Sequence, residues 1–272
     1  MKHLFKFTSL LLAGSILFTS CKKDDTVVAN EISQATLSQI ASHGFGTDNV
    51  RKVAEGYIVE GDIFLSPEFL AETPAGNLLR IANDEQYRTT NLVKALPRVI
   101  TVSVSGTLTG IAVWSAATDA MISRYNALGL NVTFQRVATN GNVNIVGFNE
   151  GPSGGYITLG SAGFPTRKGD PYYQIKMNTN TAAYGTNPNQ GYITSVLQHE
   201  MGHCIGFRHT DYFNRALSCG GAASNEGASN VGAIHIPGTP TGFDNQSFML
   251  ACSAGTDRTF NSNDVIALSY LY

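Results

Sequence analysis

Two histidines and a glutamate in this chain stand at a spacing that suits metal-dependent hydrolysis. They lie in the stretch from Gly191 to Asp211, which reads GYITSVLQHEMGHCIGFRHTD. On a helix, His199 and His203 project from one face, roughly 40° apart, and together they can bind one tetrahedral zinc ion. Glu200 lies between that face and the apolar face, so its carboxylate can approach a water molecule without being a metal ligand.

His209 is the predicted third ligand. Gly206 tolerates the left-handed conformation that a sharp helix exit requires, so the chain can turn there and bring His209 back to the metal. Three protein nitrogens leave the fourth zinc position open for water, as in catalytic sites. HExxH alone occurs by chance on ordinary surface helices, whereas HExxHxxGxxH is much more specific. We therefore predict one Zn²⁺ per chain, with Glu200 as the general base.

The residues around this motif predict a helix with one face in the core. It begins near Ile193 and ends at Gly206. Apolar residues recur at the i, i+3 and i+4 spacing of a single helix face. They are Ile193, Val196, Leu197, Met201, Cys204 and Ile205.

The motif also resembles that of a known family. HEMGHCIGFRH matches the zinc signature of the metzincin peptidases, and its IGF is astacin-like. The longer run HEMGHCIGFRHTD is most similar to that of the bacterial dual-action HEIGH metallopeptidases, with Met201 where that name has Ile. The resemblance covers about residues 98–272 and implies a zinc endopeptidase that acts on polypeptides. It also implies a methionine in a tight turn beneath the metal, and Met249 is the candidate for this Met turn.

Positions near the motif depart from the astacin pattern. Astacins carry a Tyr two residues after the Met of the turn, where this chain has Ala251, so the donor that stabilises the oxyanion is unassigned. They also carry Glu directly after the third His, where this chain has Thr210. Asp211 is either a second-shell group that orients His209 or its loop, or a solvated turn residue.

The predicted fold class is α+β. A strand at 99–104 is followed by a long helix with an apolar stripe from Ile111 to Leu128, which ends at Gly129. Further strands are predicted at 131–137, 143–148, 156–159 and 173–177. A final helix is predicted at 265–271, capped by Asn263-Asp264.

This order of elements resembles the metzincin-like zincin fold. That fold has a mixed twisted sheet with a backing helix and an active-site helix, followed by a loop-rich C-terminal half with the Met turn and a final helix. The resemblance implies that the strand around Tyr156–Gly160 is a sheet edge to which an extended substrate pairs. Alternatively, it is an edge strand without such a role.

Four segments are predicted along the chain. Residues 1–20 are a lipoprotein signal peptide, and residues 21–48 are a lipid anchor, a tether and a short helix capped by Asn30 and ended by Gly44. Residues 49–97 are a pro-segment-like region and a connector, and residues 98–272 are the metzincin-like catalytic domain.

The N-terminus has the features of an export signal. Lys2 and Lys6 precede a short apolar run at residues 10–18, which is too short to span a bilayer permanently. The small residues before Cys21 resemble a bacterial lipobox, which implies a lipid on the thiol of Cys21. We therefore expect membrane attachment through the N-terminal lipid, outside the cytoplasm, at the bacterial outer membrane or cell surface. The alternative is a plain secretory signal.

A short segment, Val59-Glu60-Gly61-Asp62-Ile63, permits two interpretations. It can be a simple β-hairpin with a Gly-Asp turn. It also resembles the FxGDI motif of astacin pro-segments, whose Asp occupies the open zinc position. The resemblance implies that Asp62 is an inhibitory metal ligand in a latent zymogen.

Three cysteines remain besides Cys21. Cys204 lies on the apolar face of the zinc helix and is predicted to be a buried small hydrophobe. Outside the cytoplasm a disulfide is favoured, which leaves Cys219 and Cys252 as the candidate pair. The alternative is that one cysteine serves as a switch that blocks the zinc.

Composition narrows the function. The 272 residues are 43% apolar and 14% charged, with a net charge of −2. No basic patch therefore indicates nucleic-acid binding. We expect the protein to be a monomer. Two rival functions remain open. One is a surface binding lipoprotein with a closed structural zinc site, and the other is a zinc hydrolase acting on another bond, such as a cell-wall amide.

Overall fold

A computed structural model describes residues 32–73, 86–153, 155–227 and 232–272. From Ile32 to Tyr272 the chain forms one compact unit. The predicted signal peptide, Cys21 and the Asn30 cap lie outside the described residues. Within the described ranges, no helix combines the length and the apolar character that crossing a bilayer requires.

The N-terminal part of this unit, residues 32–73, is called the leading segment below. It contains helix α1 (Gln34–Ser42), strands β1 (Arg51–Val53), β2 (Gly56–Val59) and β3 (Ile63–Leu65), and helix α2 (Pro67–Ala71). The three strands form an antiparallel sheet in chain order. Ser33 caps α1 by accepting a hydrogen bond from the amide of Thr36. A small core of its own holds these elements together: Ile40, Phe45, Val59, Ile63, Leu65 and Leu70.

A five-stranded mixed sheet is the centre of the fold. Its strands are β5 (Arg98–Val104), β6 (Val132–Arg136), β7 (Val143–Phe148), β8 (Gly160–Ser161) and β9 (Gln174–Asn178). They lie in the order β6-β5-β7-β9-β8. Strands β6, β5, β7 and β9 are parallel to one another, and β8 pairs antiparallel with β9 at the edge. The mixed α/β architecture that the sequence predicts is thereby confirmed.

Helices cover this sheet and bury its apolar face. A 3₁₀ turn (Gly106–Leu108) leads to the backing helix α3 (Ala112–Asn126), which packs against α5 (Gln190–Ile205). The remaining elements are α4 (Thr181–Tyr184), α6 (Ala216–Cys219), β10 (Ile234–His235) and α7 (Ser262–Leu271). The main core joins residues of β5–β7, β9, α3, α5 and α7. It fixes α5 relative to the sheet edge.

The predicted boundaries differ from the structure at the edge strand, at the cap of the final helix and at the start of α5, which begins at Gln190 rather than near Ile193. The edge strand is β8 at 160–161 rather than 156–159; within the earlier stretch, Tyr156 forms only an isolated bridge with Ser153. The final helix is capped by Asn261, and Asp264 completes a reciprocal capping box as residue N3 of the helix. The Asn-Asp pair chosen from the sequence therefore contains the N3 residue but not the cap.

Residues 86–97 pack with the part of the chain that follows them. β4 (Tyr87–Arg88) pairs with β10. The buried amide of Gln86 donates hydrogen bonds to Asp264 (2.6 Å) and Ser247 (3.0 Å). The backbone amide of Thr89 donates to the carbonyl of Gly206. These contacts attach residues 86–97 to the part of the chain that follows them; the boundary after residue 97 stays a prediction.

Candidate metal centre

Helix α5 presents the HExxH residues because its two ends are well defined. Asn189 caps the N-terminus and accepts a hydrogen bond from the amide of Tyr192. Gly206 ends the helix with φ +114°, in the left-handed region. The chain then turns and returns His209 to the helix. The exit predicted from the glycine is therefore the one that the structure has.

The three predicted histidine ligands converge. Nε2 of His203 lies 3.1 Å from Nε2 of His199 and 3.2 Å from Nε2 of His209. All three side chains are buried or nearly so. These nitrogens point at a common centre from α5 and from the loop that follows it.

The other ring nitrogen of each histidine has its own partner. Nδ1 of His199 lies 3.0 Å from the carbonyl oxygen of Phe248, and Nδ1 of His203 lies 2.9 Å from that of Phe207. Nδ1 of His209 lies 2.8 Å from the carboxylate of Glu226. Acceptors beside Nδ1 favour the tautomer that carries its proton there, which leaves the lone pair of Nε2 available to a cation. Such a donor set fits a bound cation.

The spacing of the donors fits zinc in particular. A tetrahedral Zn²⁺ with nitrogens about 2.0–2.1 Å away has about 3.3–3.4 Å between its ligand atoms. One oxygen of Asp62 lies 3.3 Å from Nε2 of both His199 and His209. Together with His203, these residues form a cluster of four potential ligands. The leading segment thus places a carboxylate where a fourth ligand could stand.

Glu200 is buried beside this cluster. One of its carboxylate oxygens has no hydrogen-bond partner among the described residues. Burial raises the pKa of Glu200, and the nearby negative charge of Asp62 raises it further. A Cβ placed on Gly160, in the edge strand, would lie 2.8 Å from the Glu200 carboxylate. The carboxylate therefore fits between helix and edge strand because residue 160 has no side chain.

Met249 is buried directly beneath the helix. A Cβ on Gly202 would lie 2.5 Å from its sulfur, so the methionine packs against the backbone between the first two histidines. The carbonyl oxygen of Met249 accepts a hydrogen bond from the amide of Thr210, next to the third histidine. The candidate for the Met turn thus contacts both parts of the metal centre.

A disulfide joins Cys219 to Cys252. Cys204 is a buried free thiol in the main core. The carboxylate of Asp211 accepts hydrogen bonds from the amide of Ala251 (2.9 Å) and the hydroxyl of Ser218 (2.5 Å). Asp211 therefore holds the loop after the Met turn, and the partner of His209 is a different residue.

That partner, Glu226, was missed by the sequence analysis. It is 2% exposed and also lies 3.2 Å from Nε of Arg215. A buried ion pair between Glu60 and Arg208 was missed as well. Glu226 lies in a loop 17 residues after His209. That distance along the chain matches no metal-site motif, so the sequence carries no local signal for the pairing.

A cleft runs past the metal centre. Its cavity of about 410 Å³ is lined by residues of α5, of the loop 248–253 with the disulfide, and of the stretches 150–153 and 156–160. The leading segment occupies the sheet edge there. The amide of Phe64 donates to the carbonyl of Ala162, the amide of Ala162 donates to the carbonyl of Asp62, and Ile63 pairs parallel with Ala162.

These features are those of a metallopeptidase. Two histidines lie one turn apart on a helix, a third follows the glycine at which the helix ends, and a buried glutamate lies beside them. The sequence model of the dual-action HEIGH metallo-peptidases matches residues 58–272. The chain belongs to that family, which confirms the resemblance inferred from the zinc signature. The match begins within β2 and so includes Asp62.

Two solved structures of myroilysin are similar to this chain. One is 13% identical, with a TM-score of 0.41, and the alignment covers 66% of this chain and 82% of that one. The other is 12% identical, with a TM-score of 0.38, and the alignment covers 75% and 95%. No curated protein matches the chain significantly.

Proposed function

We propose that this metallopeptidase is a zinc endopeptidase of the metzincin type, with His199, His203 and His209 as ligands and Glu200 as the general base. The observation that carries the proposal is the convergence of three Nε2 atoms, 3.1 and 3.2 Å apart, each with its Nδ1 bonded elsewhere. The buried carboxylate of Glu200 beside them has one oxygen free of protein partners within the described residues.

The chemistry follows from these groups. A bound zinc ion supplies Lewis acidity, which polarises the scissile carbonyl and lowers the pKa of water. Glu200 accepts the proton of the attacking water and donates it to the leaving amine. Burial of Glu200 raises its pKa, which suits a group that must both take and return a proton near neutral pH. The edge strand β8 offers backbone groups to an extended polypeptide.

The test compares variants of the chain from which the leading segment has been removed. Glu200→Ala should lower casein cleavage by a factor of about 10² or more and leave one zinc per chain. His203→Ala should lose both cleavage and zinc. Asp119→Ala, an exposed carboxylate of α3, is the control and should match the parent in both measurements. Casein cleavage by Glu200→Ala at the parent rate would contradict the assigned base.

Latency is a second part of the proposal. Asp62 lies 3.3 Å from two of the three ligand nitrogens, so its carboxylate can fill the metal position that water needs. We expect the intact chain to cleave peptides far more slowly than the chain without its leading segment. Equal rates for the two would rule out an inhibitory role of Asp62.

The same contact also supports an alternative function. If Asp62 stays on the metal permanently, the site is a closed structural one and the protein is a binding lipoprotein. Digestion of a peptide library by the chain without its leading segment, with and without a chelator, distinguishes the two functions. Chelator-sensitive cleavage supports the peptidase, and absence of any cleavage supports the structural site.

The cellular location is proposed from the sequence alone. Cys21 follows small residues that resemble a lipobox, and two or more acyl chains would give stable membrane attachment outside the cytoplasm. Incorporation of labelled palmitate into the wild-type chain, but not into Cys21→Ala, is the expected result. Labelling of neither chain would leave a plain secretory signal as the explanation.

A further inference from the structure

A buried ion pair links the leading segment to the metal-binding loop. Glu60 is 3% exposed and Arg208, which directly precedes the third histidine, is 0% exposed. Nη2 of Arg208 donates a hydrogen bond to the Glu60 carboxylate at 2.9 Å. The other oxygen of Glu60 accepts from the amide of Gly46 at 3.0 Å. Glu60 therefore bonds through one oxygen to its own segment and through the other to the loop that carries His209.

The backbone at Glu60 indicates that this side chain has a role of its own. Glu60 has φ +55°, in the left-handed region, and Gly61 follows with φ +95°. Residues with long side chains rarely adopt this conformation, whereas Gly and Asn adopt it readily. A turn that only had to reverse the chain would have no use for a glutamate at this position. The strain is consistent with a side chain held by a strong contact.

Arg208 also lies close to aromatic rings of the leading segment and of the rest of the protein. Its guanidinium lies 5.4 Å from the ring centroid of Phe45, which belongs to the leading segment, and 5.9 Å from that of Tyr212. The loop at 44–46 packs against residues 225–227: a Cβ on Gly227 would lie 3.0 Å from the carbonyl oxygen of Gly44. The pair is thus enclosed by protein on both sides and is hardly screened by salt.

We propose that the Glu60–Arg208 ion pair retains the leading segment on the rest of the protein independently of the metal. The inference rests on the proposed role of this segment as a pro-segment. It implies that cutting the chain between residues 73 and 86 does not by itself release Asp62 from the metal position. Release requires a second event that separates Glu60 from Arg208.

The arrangement also provides for the state after release. The second oxygen of Glu226 lies 3.7 Å from Nη2 of Arg208 and has no hydrogen-bond partner among the described residues. When Glu60 leaves, Arg208 can pair with this oxygen, so the buried guanidinium keeps an opposite charge. The carboxylate that takes over is the one that already bonds His209.

The experiment uses the full chain with a foreign protease site inserted between residues 73 and 86. After the cut, retention of the leading fragment is followed by size-exclusion chromatography over time, with zinc and with a chelator. The cut wild type should keep its fragment in both conditions. Glu60→Gln, which has the same shape but no charge, should lose it about 100-fold faster or more in the chelator.

The matched control is Glu55→Gln in the same segment. Glu55 pairs with Lys176, but its side chain is 64% exposed, so we expect a change of less than about fivefold. Equal retention of Glu60→Gln and Glu55→Gln would overturn the proposal. If circular dichroism shows that uncut Glu60→Gln is unfolded, Arg208→Lys takes its place. This variant should release the fragment at least about tenfold faster than the wild type does. Retention of the fragment by Arg208→Lys as long as by the wild type would also overturn the proposal.

Because this readout is physical separation, it does not depend on peptidase activity. Loss of the fragment from Glu60→Gln without any peptide cleavage would contradict the proposed function and leave the ion pair's role intact. If the cut wild type lost its fragment at once and cleaved peptides directly, the proposed function would be supported and the role of the ion pair contradicted.

Discussion

At the scale of single residues, the metal centre depends on groups that fix each histidine from behind. Two of the three Nδ1 atoms bond to backbone carbonyls, which no side-chain substitution can remove. His209 alone bonds to a side chain, the carboxylate of Glu226. Of the three histidines, His209 is therefore the one whose orientation and basicity can be changed by substituting the residue behind it.

Substitution of Glu226 should weaken metal binding. Glu226→Gln keeps the shape but removes the negative charge beside His209, and loss of such an outer partner typically costs 10–100-fold in metal affinity. The measurement is zinc affinity by competition with a chromogenic chelator. Glu72→Gln, an exposed carboxylate paired with Arg167, is the control and should leave affinity unchanged. Affinity of Glu226→Gln equal to that of the control would show that His209 needs no such partner.

A second residue-scale prediction concerns the space beside Glu200. In Gly160→Ala the new methyl group would lie 2.8 Å from the carboxylate oxygen, so the base must shift. A misplacement of about 1 Å can cost about 100-fold in rate. In the chain without its leading segment, we expect Gly160→Ala to lower kcat about 100-fold while zinc content stays at one per chain. Asp119→Ala, at an exposed position of α3 outside the cleft, should leave kcat as it is; a similar loss in both variants would refute the argument.

At the scale of elements, the sequence predicted what local pattern determines. Spacing predicted two histidines on one face of α5, its exit at Gly206, its apolar face and a third histidine in the loop that follows. The structure has that exit and that face, and it brings the three imidazole rings together. The edge strand β8 has only two residues, Gly160–Ser161, and no alternation from which it could be recognised. Glu60 and Arg208 are 148 residues apart, so their pairing depends on tertiary structure.

The capping box of α7 also connects distant elements. Asp264 accepts hydrogen bonds from the amides of Asn261 and Phe248, from the side chain of Gln86 and from the hydroxyl of Ser247. It therefore ties the last helix to the Met turn and to the segment before β5. Removal of the carboxylate would take this acceptor from all four donors at once, and the backbone amides of Asn261 and Phe248 have no side chain with which to seek another.

We expect Asp264→Ala to lower the free energy of unfolding by about 1–3 kcal/mol, since it removes a cap partner and leaves buried donors unpaired. Urea unfolding followed by circular dichroism measures this change. Asp119→Ala, at an exposed ion pair, serves as comparison and should stay within about 0.5 kcal/mol of the wild type. A loss for Asp264→Ala no larger than that would mean that solvent replaces the lost contacts.

At the scale of the whole molecule, the ligand cluster joins three separate parts of the chain. His199 and His203 belong to α5, His209 to the loop after it, and Asp62 to the leading segment. These parts are otherwise connected through packing and through the Glu60–Arg208 pair. A bound ion would therefore stabilise the assembly as a whole rather than one loop.

Removal of the metal should lower the unfolding temperature of the full chain. Because an ion that binds only the folded state stabilises it by RT ln(1 + [L]/Kd), zinc at 100 times its Kd contributes about 2.7 kcal/mol. For a unit of this size that corresponds to roughly 5–11 °C. Melting curves at graded free zinc concentrations should show this rise, and His203→Ala should show none. Asp62→Asn should show a smaller rise than the wild type, because one ligand is weakened; a zinc-independent melting temperature in the wild type would contradict the metal centre itself.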